Sequence, residues 1–295
     1  MFFIALASTS SAGRPNEDGA GTNDYPPSPQ RILTIAPNAA EILCELGLAD
    51  RIVAVSKFCV YPPELKDKPR VGGLFDPDLE KIAALRPDLV VLRGRNLDVE
   101  QLCGNLGVTV YHDPTEKLAD LKECVRDLGR LTGRTEQAER LVTTFESQIE
   151  NIRTRVKDRP RPKVLLVISR DINQVSKILT SGQGTFIDEM IRIAGGTNVF
   201  GHLEMDYPEV SAESILVQQP QVIIEIMPER ALTAQERESM IDQWAAIGPL
   251  PAVQRRAVHF LTRDDAENAL IPSPRYVEVI ELVSRWLHPD STRER

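Results

Sequence analysis

The sequence predicts an α/β protein of two parallel-sheet lobes joined by one long backbone helix, with a ligand cleft between the lobes. Three observations carry this prediction. Residues 78–92 (DLEKIAALRPDLVVL) and 212–225 (AESILVQQPQVIIE) follow one plan. In each, a glutamate (Glu80; Glu213) opens a short apolar-periodic helix, a proline (Pro87; Pro220) ends it, and an apolar run follows. Proline cannot continue a helix and biases the residue before it towards extended backbone. A short apolar run without polar alternation reads as a strand buried on both faces, as in a parallel sheet. Such runs alternate with helical-period segments on both sides of residue 135. Between those two halves, Ala138, Leu141, Val142, Phe145, Ile149, Ile152 and Val156 keep the three-four spacing of one long amphipathic helix.

Taken in order, residues 1–30 are expected to be a leader. Residues 2–7 are apolar and 8–13 small, as at the end of an export signal, but no basic segment precedes them. They fit either a truncated or mis-started export signal or a plain tail. Residues 14–30 carry four prolines and no periodicity. The first lobe (31–132) opens with a strand at 32–35, a turn at Ala36-Pro37-Asn38 and a helix over 39–46, with Gly47 placed for a left-handed cap. A strand at 52–55 follows, then a loop over 56–76 broken by Pro62, Pro63, Pro69, Gly72 and Gly73. After the first copy of the repeated unit come a helix (99–106), a strand (108–111) and a helix (118–131).

The joining segment (133–160) holds the long helix, with Thr135 as N-cap and Pro160 and Pro162 closing it. At about 1.5 Å per residue it is a rod of roughly 35 Å. The second lobe (161–290) is expected to contain a strand at 164–168, a polar turn at 180–184, a helix over 186–194, the second copy of the repeat, a helix near 235–245, a strand at 258–261 and a last helix over 276–287. Ligands of such folds bind at the carboxyl ends of the strands.

Composition narrows the function. The 295 residues suit two domains, and a net charge of −8 argues against a sequence-independent grip on nucleic acid. No run approaches the roughly 18 apolar residues of a membrane span. Cys44, Cys59, Cys103 and Cys124 show no CxxC spacing, and no two of the four histidines lie at ligand spacing, so no metal site is expected. Cys44 and Cys124 lie on apolar helix faces as small hydrophobes; one disulfide among the four is open to an exported chain. Neither a GxGxxG nor a GxxxxGK[ST] phosphate cradle is present, and no GxSxG elbow, so no catalytic residue is assigned. Ser181-Gly-Gln-Gly reads as a tight turn.

The ordered series IAPNAAEILCELGL, VSKFCVYPP, VGGLFDPDLEKIAALRPDLVVL, the long helix, LTSG, YPEVSAESILVQQPQVII and PSPR resembles the periplasmic binding proteins of bacterial ABC importers for cobalamin and ferric siderophores. The resemblance covers residues 31–287. It implies a monomeric, exported, periplasmic, non-enzymatic protein that captures a metal chelate, either a cobalamin-like corrinoid or a ferric siderophore. It also implies delivery of that chelate to a permease dimer and its ATPase, with no covalently bound cofactor. It places Asn38, Phe58, Phe75, Thr180, Ser181 and Tyr207 towards the ligand, and Glu80 and Glu213 towards the permease. Phe58 and Tyr207 are equally readable as partly buried aromatics, and Glu80 and Glu213 as helix-dipole partners. Leu74, the Leu92-Arg93 region and Leu179 depart from the aromatic pattern of the cobalamin binder. Arg93 and Arg95 near one strand end, and Arg263 near another, can grip carboxylate or phosphate, or lie solvated; Asp264, next to Arg263, is also expected at the ligand. The alternative function is a cytosolic two-lobed α/β enzyme acting on an anionic small molecule through Arg93, Arg95 and Asp264.

Overall fold

The computed structural model describes residues 28–228 and 231–289; residues 1–27 of the expected leader lie outside them. Residues 28–30 already belong to the folded body. Ser28 Oγ donates to the Thr132 carbonyl (2.6 Å), and the Gln30 amide donates to Asp88 Oδ2 (2.7 Å). The chain divides into two α/β units, one taking the residues up to Thr115 and Ala119–Thr144, the other Glu116–Leu118 and the chain from Phe145 onward.

The first unit is built from β1 (Ile32–Thr34), α1 (Pro37–Glu45), β2 (Ile52–Val55), α2 (Leu79–Leu85), β3 (Leu89–Arg93), α3 (Leu97–Leu106), β4 (Thr109–Asp113) and α4 (Leu118–Thr132). Its sheet runs β2-β1-β3-β4, all parallel. Strands β1 and β3 lie inside it and are apolar throughout except for Thr34 and Arg93, as a sheet covered on both faces requires. Helix α1 begins two residues earlier than its apolar pattern indicated because Pro37 occupies the first turn, where its missing N–H costs nothing. The proline-broken loop after β2 is held by Arg70, whose guanidinium donates to the carbonyls of Ser56, Cys59, Leu65 and Lys66.

Helix α5 (Thr135–Val156) carries the chain from one unit into the other as the single 22-residue element that the periodicity predicts. The second unit continues with β5 (Lys163–Val167), β6 (Ile178–Leu179), α6 (Phe186–Ile193), β7 (Thr197–Asn198), β8 (Glu209–Val210), α7 (Ala212–Gln218), β9 (Val222–Met227), α8 (Ala234–Ile247), α9 (Pro251–Gln254), β10 (Val258–Thr262), α10 (Asp264–Leu270) and α11 (Tyr276–Leu287). Its main sheet runs β7-β5-β9-β10, all parallel, and β6 pairs with β8 as a small antiparallel ribbon. The two main sheets therefore share one strand order, in which the first strand lies between the second and the third. Leu165, Ile223, Phe260 and the fully buried Trp244 centre the core of this unit; Leu33, Val90, Leu92 and Ile82 centre that of the first.

The repeated stretch lands on equivalent parts of the two sheets. Helices α2 and α7 are both seven residues long and feed the strand that lies third in each order. Asp78 and Ser211 cap them, accepting from the amides of Lys81 and Ser214. The proline does not itself end the helix, as the sequence led us to expect. Each helix closes on a non-glycine residue in the left-handed region, Arg86 (φ 46, ψ 58) and Gln219 (φ 52, ψ 61), and the proline follows it. Arg31 reinforces the first of these ends by donating to the carbonyls of Leu85 and Arg86.

All four cysteines are free thiols, so the disulfide left open by the sequence is absent. Burial pushes the Cys59 thiol up to about 11 and the Cys44 thiol up to about 12.

Candidate ligand-binding site

In the first unit five of the ten expected ligand contacts, Asn38, Phe58, Phe75, Arg93 and Arg95, lie at or after the carboxyl ends of the strands. Phe75 (73% exposed) and Leu97 (70%) stand open to solvent, with Phe58 at 37%. Local bonds bring them to one edge. The Lys57 amide donates to the Gly72 carbonyl (2.8 Å), and Asn96 Nδ2 to the Leu74 carbonyl (2.8 Å). Gly73 is needed there, because a β-carbon would stand 2.6 Å from Asp76 Oδ1 and 3.0 Å from the Phe58 ring. Exposed aromatic and aliphatic side chains around a strand-end loop are unusual on a protein that does not use them.

The basic residues beside this apolar patch face carboxylates. Lys57 Nζ lies 2.8 Å from Asp76 Oδ2 and 5.3 Å from the Phe58 ring centroid. Arg95 grips Glu100 through two nitrogens (2.8 and 2.6 Å), and that contact holds the Glu100 carboxyl below its usual range. Glu100 also accepts from the Asn96 amide, so Arg95 is drawn into the cap of α3. Arg93, the last residue of β3, lies 3.8 Å from Asp113 Oδ2 at the end of the neighbouring β4. Arg93 thus ends β3 and Arg95 follows it by two residues, each with a carboxylate neighbour in its own unit. Asn38 is buried in the first turn of α1, and its Nδ2 donates to Thr115 Oγ1 (3.4 Å).

In the second unit Thr180 and Ser181 turn inward. Both are fully buried; Thr180 Oγ1 donates to the Leu166 carbonyl (2.6 Å), and Ser181 Oγ shares a 2.6 Å bond with Thr185 Oγ1. They build the turn that leads into α6 rather than presenting hydroxyls to solvent. Gly182 between that turn and Met205 has no room for a side chain. Tyr207 is half-buried, and Met205 nearby is 65% exposed. Arg263 and Asp264 are exposed after β10, and Arg263 adopts φ 50, ψ −126, a conformation that ordinary side chains rarely take. Leu97, Met205 and the buried Asp113 were not recognised in the sequence. Isolated apolar residues in loops carry no periodicity, and a lone aspartate at a strand end reads as solvated.

Glu80 and Glu213 each occupy the second position of their equivalent helices, and both are exposed. Among the described residues neither forms an ion pair. The Glu213 carboxyl is held below its usual range by its own backbone amide and by the Ser211 hydroxyl.

The model of a family described as periplasmic binding protein matches residues 32–264. The chain belongs to the periplasmic binding protein family. Among its relatives in that family is a vitamin B12-binding protein of Vibrio cholerae, 30% identical over 260 residues, covering 88% of this chain and 89% of that protein. A vitamin B12-binding protein of Pectobacterium carotovorum is 31% identical over 199 residues, 66% of this chain and 71% of the other. The crystal structure of the periplasmic vitamin B12-binding protein of Vibrio cholerae superposes with a TM-score of 0.74 at 30% identity, covering 91% of this chain and all of that one. A periplasmic heme-binding protein from Pseudomonas aeruginosa, 23% identical, shares the fold with a TM-score of 0.75 over 89% of this chain and 94% of its own. No helix among the described residues of this periplasmic binding protein is long and apolar enough to cross a membrane.

Proposed function

We propose that this chain is the solute-binding component of an ABC importer, working in the periplasm as a monomer, and that its cargo is an uncharged metal chelate of the corrinoid type. The observation that carries the reading is the first unit's carboxyl edge. There the exposed Phe58, Phe75 and Leu97 adjoin three basic side chains, Lys57, Arg93 and Arg95, each lying beside a carboxylate. An apolar surface with offset charges matches a large neutral ligand with an apolar rim, whereas a polyanionic siderophore needs cations to spare. The vitamin B12-binding relatives support the same cargo.

In this reading Phe58, Phe75 and Arg93 of the first unit and Tyr207, Arg263 and Asp264 of the second contact the chelate. Asn38, Thr180 and Ser181 hold the strand-end turns in shape, and Arg95 fixes the start of α3. Glu80 and Glu213, alike in position and open to solvent, dock on the permease subunits. The enzyme alternative loses support because Glu100 occupies one of its anion-binding arginines and because the relatives are named as binding proteins.

A thermal-shift screen with vitamin B12, haem and a ferric tricatecholate siderophore tests the cargo. A ligand present at 100 times its dissociation constant adds about 2.7 kcal/mol of stability. The expected result is a clear shift with vitamin B12 alone. A shift only with the anionic chelates overturns the corrinoid reading, and no shift with any of the three removes the chelate-binding role.

A further inference from the structure

Arg93 and Asp113 are adjacent in the parallel ladder of β3 and β4, and their relationship is unusual for an ion pair. The Asp113 side chain is fully buried. Its Oδ1 accepts from both the Thr115 amide (3.1 Å) and the Thr115 hydroxyl (2.5 Å), and that hydroxyl in turn accepts from Asn38 Nδ2. Among the described residues Asp113 Oδ2 has no hydrogen-bond donor, and Arg93 Nη1 stands 3.8 Å from it. That distance is too long for a hydrogen bond but short enough for the two charges to offset each other. The Arg93 guanidinium is 26% exposed, and among the described residues it donates no hydrogen bond. Arg93 therefore has its charge compensated while its five N–H groups are still to be used.

We infer that Asp113 is a specificity-determining residue that converts Arg93 into a donor for an uncharged carbonyl. It is a positioning residue, since it acts through Arg93. Thr115 and Asn38 fix the carboxylate, the carboxylate offsets the guanidinium charge, and the guanidinium forks onto a carboxamide oxygen of the ligand. A carboxylate in the same place gains the same hydrogen bonds but meets the field of Asp113 close behind Arg93. The inference deepens, and rests on, the proposed corrinoid cargo, whose periphery carries carboxamide arms.

The test compares vitamin B12 with its monocarboxylate derivatives, in which one carboxamide is hydrolysed, on the full chain and on two variants. The wild type is expected to bind vitamin B12 more tightly than at least one monocarboxylate. Asp113→Asn, which keeps the shape and removes the charge, is expected to shift the affinity ratio roughly tenfold towards that monocarboxylate. Arg93→Gln leaves Asp113 uncompensated and is expected to shift the ratio the opposite way. A purely structural role moves both ligands together. Equal loss for both ligands in both variants overturns the inference while leaving the corrinoid cargo standing. Should Asp113→Asn fail to fold, an unchanged ratio in Arg93→Gln is enough to overturn it. No binding of any corrinoid by the wild type overturns the cargo and the inference together.

Discussion

Arg170 Nε donates to Glu225 Oε2 at 2.7 Å, and with side chains 3% and 1% exposed the two form a buried ion pair inside the second unit. Glu225 lies in the middle of β9, and its other oxygen accepts from Trp244 Nε1 (2.6 Å). Arg170 Nη2 donates to that same Glu225 oxygen (3.3 Å), and Nη1 to the carbonyls of Asp171 and Gln174 and to Gln243 Oε1 (2.7 Å). The pair thus ties the loop after β5 to α8 across the sheet. Removing one partner of a buried pair leaves an uncompensated charge, so Glu225→Ala is expected to cost about 3–5 kcal/mol. Urea unfolding measures it; a loss below about 1 kcal/mol would show that the network contributes little.

Helix α5 makes a second prediction. Ile149 is 6% exposed in mid-helix, where a proline removes one backbone hydrogen bond and clashes with the preceding turn. Ile149→Pro is expected to destabilise the chain by about 3 kcal/mol or more. A melting temperature equal to that of the wild type contradicts the placement of this residue in a continuous helix.

A third prediction follows from the buried thiols. Cys59 is neutral in the folded chain until about pH 11 and in the unfolded chain only until its ordinary value, near 9. A raised folded value stabilises fully below the unfolded value and ceases to do so as pH rises through the folded one. Stability is therefore expected to fall between about pH 9 and 11, by up to about 1.4 kcal/mol per pH unit for this thiol. Because lysines and tyrosines titrate in the same window, the readout is the difference between wild type and Cys59→Ala under reducing conditions. Parallel stability curves for the two proteins would refute the assignment.

The docking proposal is tested by Glu80→Ala combined with Glu213→Ala. Both residues are exposed and, among the described residues, form no ion pair, so ligand affinity and melting temperature are expected to change little. Stimulation of the cognate transporter in proteoliposomes is expected to require at least roughly tenfold more of the double variant. Normal stimulation returns both glutamates to a role in their helix ends.

The main architecture was legible because it rests on periodicity. Runs such as residues 89–92 and 222–224, and the 22-residue stripe of α5, leave little choice of element. The two-residue strands β6, β7 and β8 and the four-residue α9 are too short to carry a period, and tertiary pairing decides them. The repeat itself held, but its ends depend on left-handed Arg86 and Gln219, which no propensity marks. Glu225 shows the limit of reading the two copies as equal: it stands where the first copy has Leu92, and only the fold reveals that Arg170 and Trp244 meet it. The site was legible as residue types at strand ends. Which of them face solvent, as Phe75 does, and which turn inward, as Thr180 and Ser181 do, depends on contacts distant in sequence.

The measurement that reaches the central claim most directly is equilibrium binding of vitamin B12 and of haem to the purified chain, each at low and at high salt. Binding of an uncharged chelate on an apolar surface with offset charges is expected to be saturable, to favour vitamin B12 and to change little with salt, since screening acts on net charge attraction. Preference for haem with affinity falling steeply in salt would contradict the offset-charge site, and absence of binding by either would contradict the solute-binding role.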